Sequence, residues 1–206
     1  QTEYCPAITL HHLSDSIGDT CNTAGQPVAQ TEGSIRSVGD NSTVAVGEIG
    51  EICARGPCVM LEYNDNPKAT SETVDTEGWL RTGDLGRMDK RGYVTVTGRV
   101  KEMIIRGGEN HFPAEIENCL LEHASVAEVA VVGLPDPKWG EVIGAFIRGT
   151  GPLDKSVLHA HCRANMSPQK TPNVWVQVEG FPLTGSGKIQ KFALRDHFVG
   201  GEYEEL

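Results

Sequence analysis

The stretch VAEVAVVGL, residues 126–134, decides how the second half of the chain folds. Its centre, Val129 to Leu134, is the longest nearly apolar run of the sequence and is rich in valine. A short apolar run of β-branched residues predicts a buried strand. The run is far shorter than the roughly 20 residues that a membrane-spanning helix needs. The sequence therefore predicts a globular core built on this strand.

Helices and strands are predicted on both sides of this strand. They are a strand over 103–106 that ends at Gly107-Gly108, a helix over 113–123, a strand over 141–147, a helix capped by Asp154, a half-buried strand over 174–178 and a closing helix over 189–197. The order β-α-β-β-α-β-α predicts an α+β fold for residues 99–206, in which helices flank a short central sheet.

Residues 1–98 have a different pattern, which predicts a mostly β segment. Short strands are predicted within 43–54, and a short helix is predicted to begin at Asn66-Pro67. A hairpin is predicted to join 85–89 to 93–97 through a loop that contains glycine. We interpret residues 1–98 as the end of a larger β-rich domain and residues 99–206 as a small separate domain, joined by a hinge at 98–101.

Charge and cysteine content exclude several classes of protein. The 206 residues include 18 Lys+Arg and 28 Asp+Glu, so the net charge is −10. A strongly acidic chain argues against non-specific binding to nucleic acid or to anionic membranes. The six cysteines form no CxxC pair, which argues against a zinc ribbon and favours reduced, buried thiols and a cytoplasmic location. The chain opens on Gln1 without a leader, which predicts that it is part of a longer protein.

Two motifs contain groups that suit a nucleotide. The first, WLRTGD over 79–84, ends in Asp84, whose two carboxylate oxygens could accept hydrogen bonds from both hydroxyls of a ribose. The second comprises Arg99, Lys101 and the run RGGEN over 106–110, where glycines allow a ligand to approach the backbone closely. Taken alone, each motif is more often an ordinary surface turn, and a basic cluster is more often solvated surface.

A third motif, LTGSGK over 183–188, superficially resembles a phosphate-binding P-loop. It departs from that pattern because Pro182 stands where the first glycine is required, and Ile189 follows Lys188 where Ser or Thr is required. We interpret it as a flexible loop that presents Lys188. The seven histidines show no metal-binding HExxH pattern and no nucleophile partner, so none is assigned a catalytic role.

Taken together and in order, these motifs resemble those of the adenylate-forming acyl-CoA synthetases, also called AMP-forming acid–thiol ligases. The resemblance runs over essentially the whole chain. It implies a site of the following residues: Thr2 at a phosphate, Glu3 holding Mg²⁺, Asp84 and Arg99 at the ATP ribose, Lys101 as the hinge pivot, Gly107, Gly108 and Glu109 along the tunnel for the pantetheine arm of CoA, and Lys188 as the catalytic lysine.

The same resemblance implies that part of the enzyme lies outside this chain. The family's phosphate loop and most of its acyl pocket precede the position of Glu3, so an N-terminal part is expected to be missing and the chain alone to be inactive. Two positions depart from the family pattern. The hinge residue is Lys101, where many members have Asp, and Asn110-His111-Phe112 stands where an Ile-Tyr pair is more usual.

The activity implied is the ATP-dependent conversion of a carboxylic acid, fatty or aromatic, to acyl-AMP and its transfer to the thiol of CoA. Mg²⁺ is the expected cofactor, and no nucleic acid partner or integral membrane segment is expected. Two alternatives remain open: transfer to the phosphopantetheine of a carrier protein, and a non-catalytic remnant that binds nucleotide or CoA. The joint presence of Glu3, Asp84, Arg99 and Lys188 argues against the remnant.

Overall fold

The computed structural model describes residues 1–206, which form two compact units, Gln1–Lys101 and Glu102–Leu206. Both units combine sheets with helices, so the predicted α+β class is confirmed. No helix has the length and apolar character that crossing a bilayer requires.

The first unit is built on a four-stranded antiparallel sheet. Its elements are β1 (Thr9–Leu10), α1 (Ile17–Asn22), β2 (Gln26–Pro27), β3 (Glu32–Arg36), β4 (Gly50–Arg55), α2 (Pro67–Thr73), β5 (Leu80–Met88) and β6 (Val94–Arg99). Strands β3 to β6 pair in sequence order, and β1 pairs with β2 in a separate ribbon. Both helices start at side-chain caps, since Ser16 and Asn66 accept hydrogen bonds from backbone N–H groups of the first turn.

The strands predicted within 43–54 are only partly right. Gly50–Arg55 forms β4, whereas Thr43 makes a single bridge to Arg36 and continues into a turn. Gly47 adopts a φ of +90°, which reverses the chain and ends the alternation. Strand β3 has no clear signal in the sequence, because Glu32–Arg36 contains one large apolar residue and forms a strand by pairing with β4.

The second unit is organised around one long strand. Its elements are β7 (Ile104–Arg106), β8 (Glu109–His111), α3 (Pro113–Leu121), β9 (Val126–Asp136), β10 (Gly140–Gly149), α4 (Lys155–Asn165), β11 (Val174–Gln177) and α5 (Lys191–Val199). β10 pairs antiparallel with β9 along its length and parallel with β11. It also meets β7 at one pair of residues, and β7 in turn pairs with β8.

Both faces of this sheet are covered, because successive side chains of a strand point to opposite faces. Val129 and Val131 pack in a cluster with residues of α3 and α4. Ala130, Val132 and Leu134 pack in a second cluster with Leu194 of α5. The run that predicts a buried strand is thus β9, which is covered on both faces.

In the second unit one strand was not predicted and the ends of two helices differ from the prediction. β8 was not expected, since Glu-Asn-His has no apolar alternation. It forms because Gly107 and Gly108 both have positive φ, 59° and 87°, which closes a two-residue hairpin. The third helix ends at Leu121 rather than at 123. The last helix begins at Lys191 rather than at 189, because Ile189 forms a bridge with Leu183.

Candidate functional site

Asp84 is presented by a bulge in β5. Residues 82–84 of this strand lie opposite the single residue Ile52 of β4. The hydroxyl of Thr82 donates to the carbonyl oxygen of Ile52 at 2.7 Å and accepts from the backbone N–H of Asp84 at 3.0 Å. Gly83 takes a φ of +71°. The bulge therefore has a defined shape, as bulges near functional sites commonly do.

Hydrogen bonds to the Glu51 carboxylate hold this bulge in place. Its side chain is almost fully buried, with a residue exposure of 4%. One carboxylate oxygen accepts from the backbone N–H of Gly83 at 3.0 Å, and the other from Nε of Arg81 at 2.9 Å. Arg81 thus pairs with a buried carboxylate. Glu51 was not predicted as a site residue, since its only signal in the sequence is a charge at the start of the apolar run of β4.

The two residues predicted to bind the ribose lie side by side. Asp84 and Arg99 are directly opposite each other in β5 and β6. Arg99 Nε lies 3.0 Å from Asp84 Oδ1, and the two side chains are 63% and 30% exposed. The ion pair orients the Asp84 carboxylate while leaving it accessible to a ligand.

Thr2 and Glu3 lie in a short 3-10 turn anchored by the buried Tyr4. The Tyr63 hydroxyl donates to Glu3 Oε1 at 3.0 Å. The pKa of Glu3 is lowered, chiefly because its own backbone N–H donates to the carboxylate and also because Tyr63 does so. Since Gln1 Nε2 donates to the carbonyl oxygen of Thr82 at 3.3 Å, this segment lies beside the Asp84 bulge.

The residues present suit an Mg²⁺ ion that is bound partly by a substrate better than one that is bound by protein side chains alone. No group of three or more His, Cys, Asp or Glu side chains is arranged to hold a metal. Mg²⁺ is usually held by one or two carboxylates together with substrate phosphates and water. An ionised, partly exposed Glu3 suits that arrangement, with a nucleotide supplying the remaining oxygens.

The predicted hinge and tunnel residues are exposed. Lys101 lies in a 3-10 turn, Val100–Glu102, at the end of the first unit. Gly107, Gly108 and Glu109 lie at the β7–β8 turn of the second unit. A Cβ on Gly107 would lie 2.7 Å from the Trp139 ring, so only glycine fits there without displacing that ring.

His111, the last residue of β8, is buried without a hydrogen-bond partner. Its exposure is 3%, and neither ring nitrogen is paired. Burial lowers the pKa of His111, because the charged form loses its hydration. The nearest carboxylate oxygen, on Glu109, is 4.0 Å from Nε2. The sequence marks this residue only as a departure from the family pattern.

Lys188 lies on a hairpin loop that is closed by hydrogen bonds. The Thr184 backbone N–H donates to the Lys188 carbonyl oxygen at 2.8 Å, and the Lys188 N–H donates to the Thr184 hydroxyl at 3.1 Å. Gly187 turns the chain with a φ of +81°. The Lys188 side chain is exposed, and its ammonium forms no ion pair and no hydrogen bond. A cation is thus presented to solvent on an ordered turn.

The candidate residues divide between the two units. The first unit contains Thr2, Glu3, Asp84, Arg99 and Lys101, and the second contains Gly107, Gly108, Glu109 and Lys188. Within the first unit the structure brings together the Glu3 segment and the Asp84–Arg99 pair. The ordering contacts made by Glu51 and Tyr63 had no clear signal in the sequence.

Known proteins match both units. The sequence pattern of the family described as AMP-binding enzyme matches residues 1–64. The pattern of the AMP-binding enzyme C-terminal domain matches residues 115–188. The mitochondrial medium-chain acyl-CoA ligase ACSF2 of Rattus norvegicus is 40% identical over 198 residues, which are 95% of this chain and 32% of the ligase.

Solved structures match the fold. The o-succinylbenzoate CoA synthetase MenE of Bacillus subtilis, in complex with an acyl-adenylate intermediate, has a TM-score of 0.85 and 34% identity over 95% of this chain and 40% of its own. ATP-bound MatB of Rhodopseudomonas palustris has a TM-score of 0.81 and 29% identity over 86% of this chain and 36% of its own. The chain thus spans about a third of the length of these relatives. It belongs to the family of AMP-binding enzymes, the adenylate-forming acyl-CoA synthetases that its motifs predict.

Proposed function

We propose that the full-length protein activates a carboxylic acid, fatty or aromatic, with ATP and transfers the acyl group to CoA. In the first half-reaction the carboxylate attacks the α-phosphorus of ATP, which forms acyl-AMP and releases pyrophosphate. In the second, the CoA thiol attacks the acyl carbonyl carbon and AMP leaves. Three relatives support the proposal: one named as an acyl-CoA ligase, a CoA synthetase with a bound acyl-adenylate, and MatB with bound ATP.

The first unit would bind the nucleotide. Asp84 would accept hydrogen bonds from the ribose hydroxyls, since a carboxylate offers acceptors to both. Arg99, 3.0 Å away, would hold that carboxylate in one orientation and approach the ribose itself. Thr2, exposed beside Glu3, would donate its hydroxyl to a phosphate oxygen.

Glu3 would hold Mg²⁺ together with the ATP phosphates. The ion, when bound, supplies positive charge that neutralises phosphate oxygens. The contribution of the chain is a carboxylate that is ionised near neutral pH and held in place by the Tyr63 hydroxyl. Tyr63 is therefore the positioning residue for Glu3.

The observation that carries the proposal is the unpaired ammonium of Lys188 on an ordered hairpin. Negative charge builds on the α-phosphate oxygens in the adenylation transition state, and a preorganised cation stabilises it. A lysine suits this role because it places a compact charge at the end of a long side chain. The hydrogen bonds between Thr184 and Lys188 fix the backbone from which this side chain extends.

The second half-reaction would use the other candidate residues of the second unit. Rotation at residues 98–101, with Lys101 as the pivot, would withdraw Lys188 and bring up the Gly107–Gly108 turn. Without side chains, these glycines allow the pantetheine arm to approach the backbone. Such a change is a conformational gate between two chemical steps.

Replacing Lys188 with Ala in the full-length protein tests the proposal. We expect adenylation to slow by roughly 10²–10³-fold, and thioester formation from supplied acyl-AMP to stay near the wild-type rate. Lys155→Ala, a matched control in the same unit, should leave both rates unchanged. A normal adenylation rate in Lys188→Ala would contradict the proposal, and equal loss of both rates would indicate general damage to the second unit.

Two further measurements separate the alternatives. Supplying a phosphopantetheinylated carrier protein in place of CoA identifies the acceptor, and we expect CoA to be used. A remnant without catalytic activity would bind AMP, seen as a rise in Tm, but would form no acyl-AMP. We expect the 206-residue chain by itself to form no acyl-CoA, and detectable product would contradict this.

A further inference from the structure

A partly buried lysine joins two carboxylates in the second unit. Lys191 Nζ lies 2.8 Å from Glu102 Oε2 and 2.8 Å from Glu117 Oε1. The three side chains are 22%, 38% and 17% exposed, in the same order. Glu117 Oε1 also accepts the backbone N–H of Val131 at 2.8 Å. We refer to Glu102, Glu117 and Lys191 as the carboxylate–lysine cluster.

The cluster joins three segments that are distant in sequence. Glu102 is the first residue of the second unit and directly follows Lys101. Glu117 lies on α3 and Lys191 is the first residue of α5. Because Lys191 follows Lys188 by three residues, the cluster connects the chain leaving the Lys188 hairpin with the chain following the hinge.

The charges of the cluster require a cation at position 191. Burial by itself would lower the pKa of Lys191, but the Glu117 and Glu102 carboxylates outweigh it and the net pKa is raised. Lys191 is therefore an ammonium at neutral pH. Without it, two carboxylates would face the same partly buried space, and one of them, Glu117, would remain bound to the backbone of β9.

The hydrogen bonds of the hairpin are local, and Ile189 beside Lys188 packs against the core cluster that includes Val132 and Leu134. Thr184 and Lys188 hydrogen bond to each other, and Gln190 donates to the carbonyl oxygens of Pro182 and Leu183. These bonds join the two arms of the loop and fix its shape. Its attachment to the segment after the hinge is the pair of Lys191 and Glu102.

We propose that Lys191 is a positioning residue for Lys188, and that the carboxylate–lysine cluster sets where Lys188 stands relative to the hinge. The inference rests on the proposed role of Lys188 in adenylation. A catalytic group displaced by about 1 Å loses up to about a hundredfold in rate. Adenylation should depend on the cluster, and the thioester step, from which Lys188 is absent, should not.

Lys191→Met in the full-length protein removes the charge and keeps the length of the side chain. We expect adenylation to fall by about tenfold to a hundredfold, with thioester formation from supplied acyl-AMP within about twofold of wild type. Lys191→Arg should restore most of the adenylation rate. Lys170→Met is the matched control, because Lys170 also pairs with a carboxylate of α3, that of Glu115, but forms no ion pair with a member of the cluster.

The double variant Lys188→Ala/Lys191→Met separates positioning from an independent effect. If Lys191 acts through Lys188, the double variant should be no slower in adenylation than Lys188→Ala. Losses that multiply would overturn the inference while leaving the proposed function intact. A normal rate in Lys188→Ala would instead remove the proposed function itself, so the two failures are distinguishable.

Glu102→Ala keeps the inference testable if Lys191→Met does not fold. It removes the attachment to the hinge side but leaves Lys191 paired with the more buried Glu117. We expect the same selective loss of adenylation, by at least about threefold. An adenylation rate equal to wild type in a folded Glu102→Ala protein, or an equal fall of both half-reactions, would overturn the inference.

Discussion

Asp84 and Arg99 are direct cross-strand neighbours in β5 and β6, and Arg99 Nε lies 3.0 Å from Asp84 Oδ1. An exposed ion pair of this kind contributes only about 0–1 kcal/mol to the free energy of unfolding. The geometry of this pair is therefore not explained by its contribution to stability. Ligand binding explains it better, because the bulge that Glu51 and Thr82 hold in place fixes the Asp84 carboxylate where a ribose would bind.

Asp84→Asn should weaken ATP binding without destabilising the protein. The amide keeps one acceptor oxygen and replaces the other with a donor, so it cannot accept from both ribose hydroxyls. A hydrogen bond to a charged group is worth about 1.5–3 kcal/mol, so the KM for ATP should rise by roughly tenfold to a hundredfold. Pyrophosphate exchange at varied ATP concentration measures this KM.

Glu128→Gln is the control for Asp84→Asn. Glu128 and Arg148 also face each other across antiparallel strands, with Nε 2.7 Å from Oε2. The chemistry and exposure of this pair are similar, but no nucleotide is proposed to bind there. An unchanged KM for ATP in Asp84→Asn, or an equal rise in Glu128→Gln, would contradict the ribose assignment.

Gly107→Ala should destabilise the β7–β8 hairpin more than Gly108→Ala. Both positions have positive φ, which costs an L-residue about 1 kcal/mol or more. At Gly107 the new methyl group would also collide with the Trp139 ring, whereas at Gly108 nothing lies within 4 Å. Urea unfolding of the full-length protein should therefore give a lower midpoint for Gly107→Ala.

A second variant shows whether the ring is responsible for the difference. Trp139→Ala removes the atoms that the Gly107 methyl group would meet. In that background the costs of the two glycine substitutions should become equal to within about 0.5 kcal/mol. A difference that persists without Trp139 would show that backbone strain alone distinguishes the two positions.

The central sheet of the second unit could be predicted because local sequence determines it. The run VAEVAVVGL is apolar on both faces and forms a strand wherever helices cover it. By contrast, β8 is polar throughout, and its pairing comes from the two glycines before it. The strand β3 likewise depends on pairing with β4, from Glu32 with Arg55 to Arg36 with Glu51, and the periodicity of a single segment does not indicate such a partner.

The motifs of the candidate site could be predicted from the sequence, but the contacts between side chains of distant segments could not. The positions of Asp84, Arg99 and Lys188 follow from motifs that are ambiguous one at a time but resemble one family when taken together and in order. The pair of Glu102 and Lys191 joins residues 89 positions apart, and no pattern in either segment indicates its partner. The same holds for Glu51, because a glutamate at a strand end is ordinarily exposed.

The stability of the protein should fall in mild acid because of His111. Its pKa is lowered by burial, so the unfolded chain binds a proton that the native chain does not. The contribution is fully present above the unfolded pKa of about 6.5 and is lost as the pH falls below it, by at most about 1.4 kcal/mol per pH unit. Glu109 and Glu115 oppose the shift, and Arg106 and Lys170 add to it.

His111→Ile removes the titrating group and both unpaired nitrogens. The loss of unfolding free energy between about pH 7 and about pH 5 should therefore be smaller than in wild type. His159→Gln, at an exposed position on α4, should retain the wild-type pH dependence. If His111→Ile lost as much stability as wild type over this range, other groups would be responsible for the acid sensitivity.

Lys101→Pro should separate the two half-reactions by restricting the hinge. Lys101 is the exposed residue of the 3-10 turn Val100–Glu102, and the usual φ of such a turn is close to the value near −65° that a proline ring fixes. Proline also restricts the preceding residue, Val100. We expect the adenylation orientation to be retained, so that pyrophosphate exchange continues while thioester formation falls by at least about tenfold.

The control is Lys101→Ala, which removes the side chain without fixing φ. Its thioester rate should exceed that of Lys101→Pro. Equal losses of both half-reactions in Lys101→Pro, with Lys101→Ala just as impaired, would show that this residue acts through its charge and that the pivot lies elsewhere.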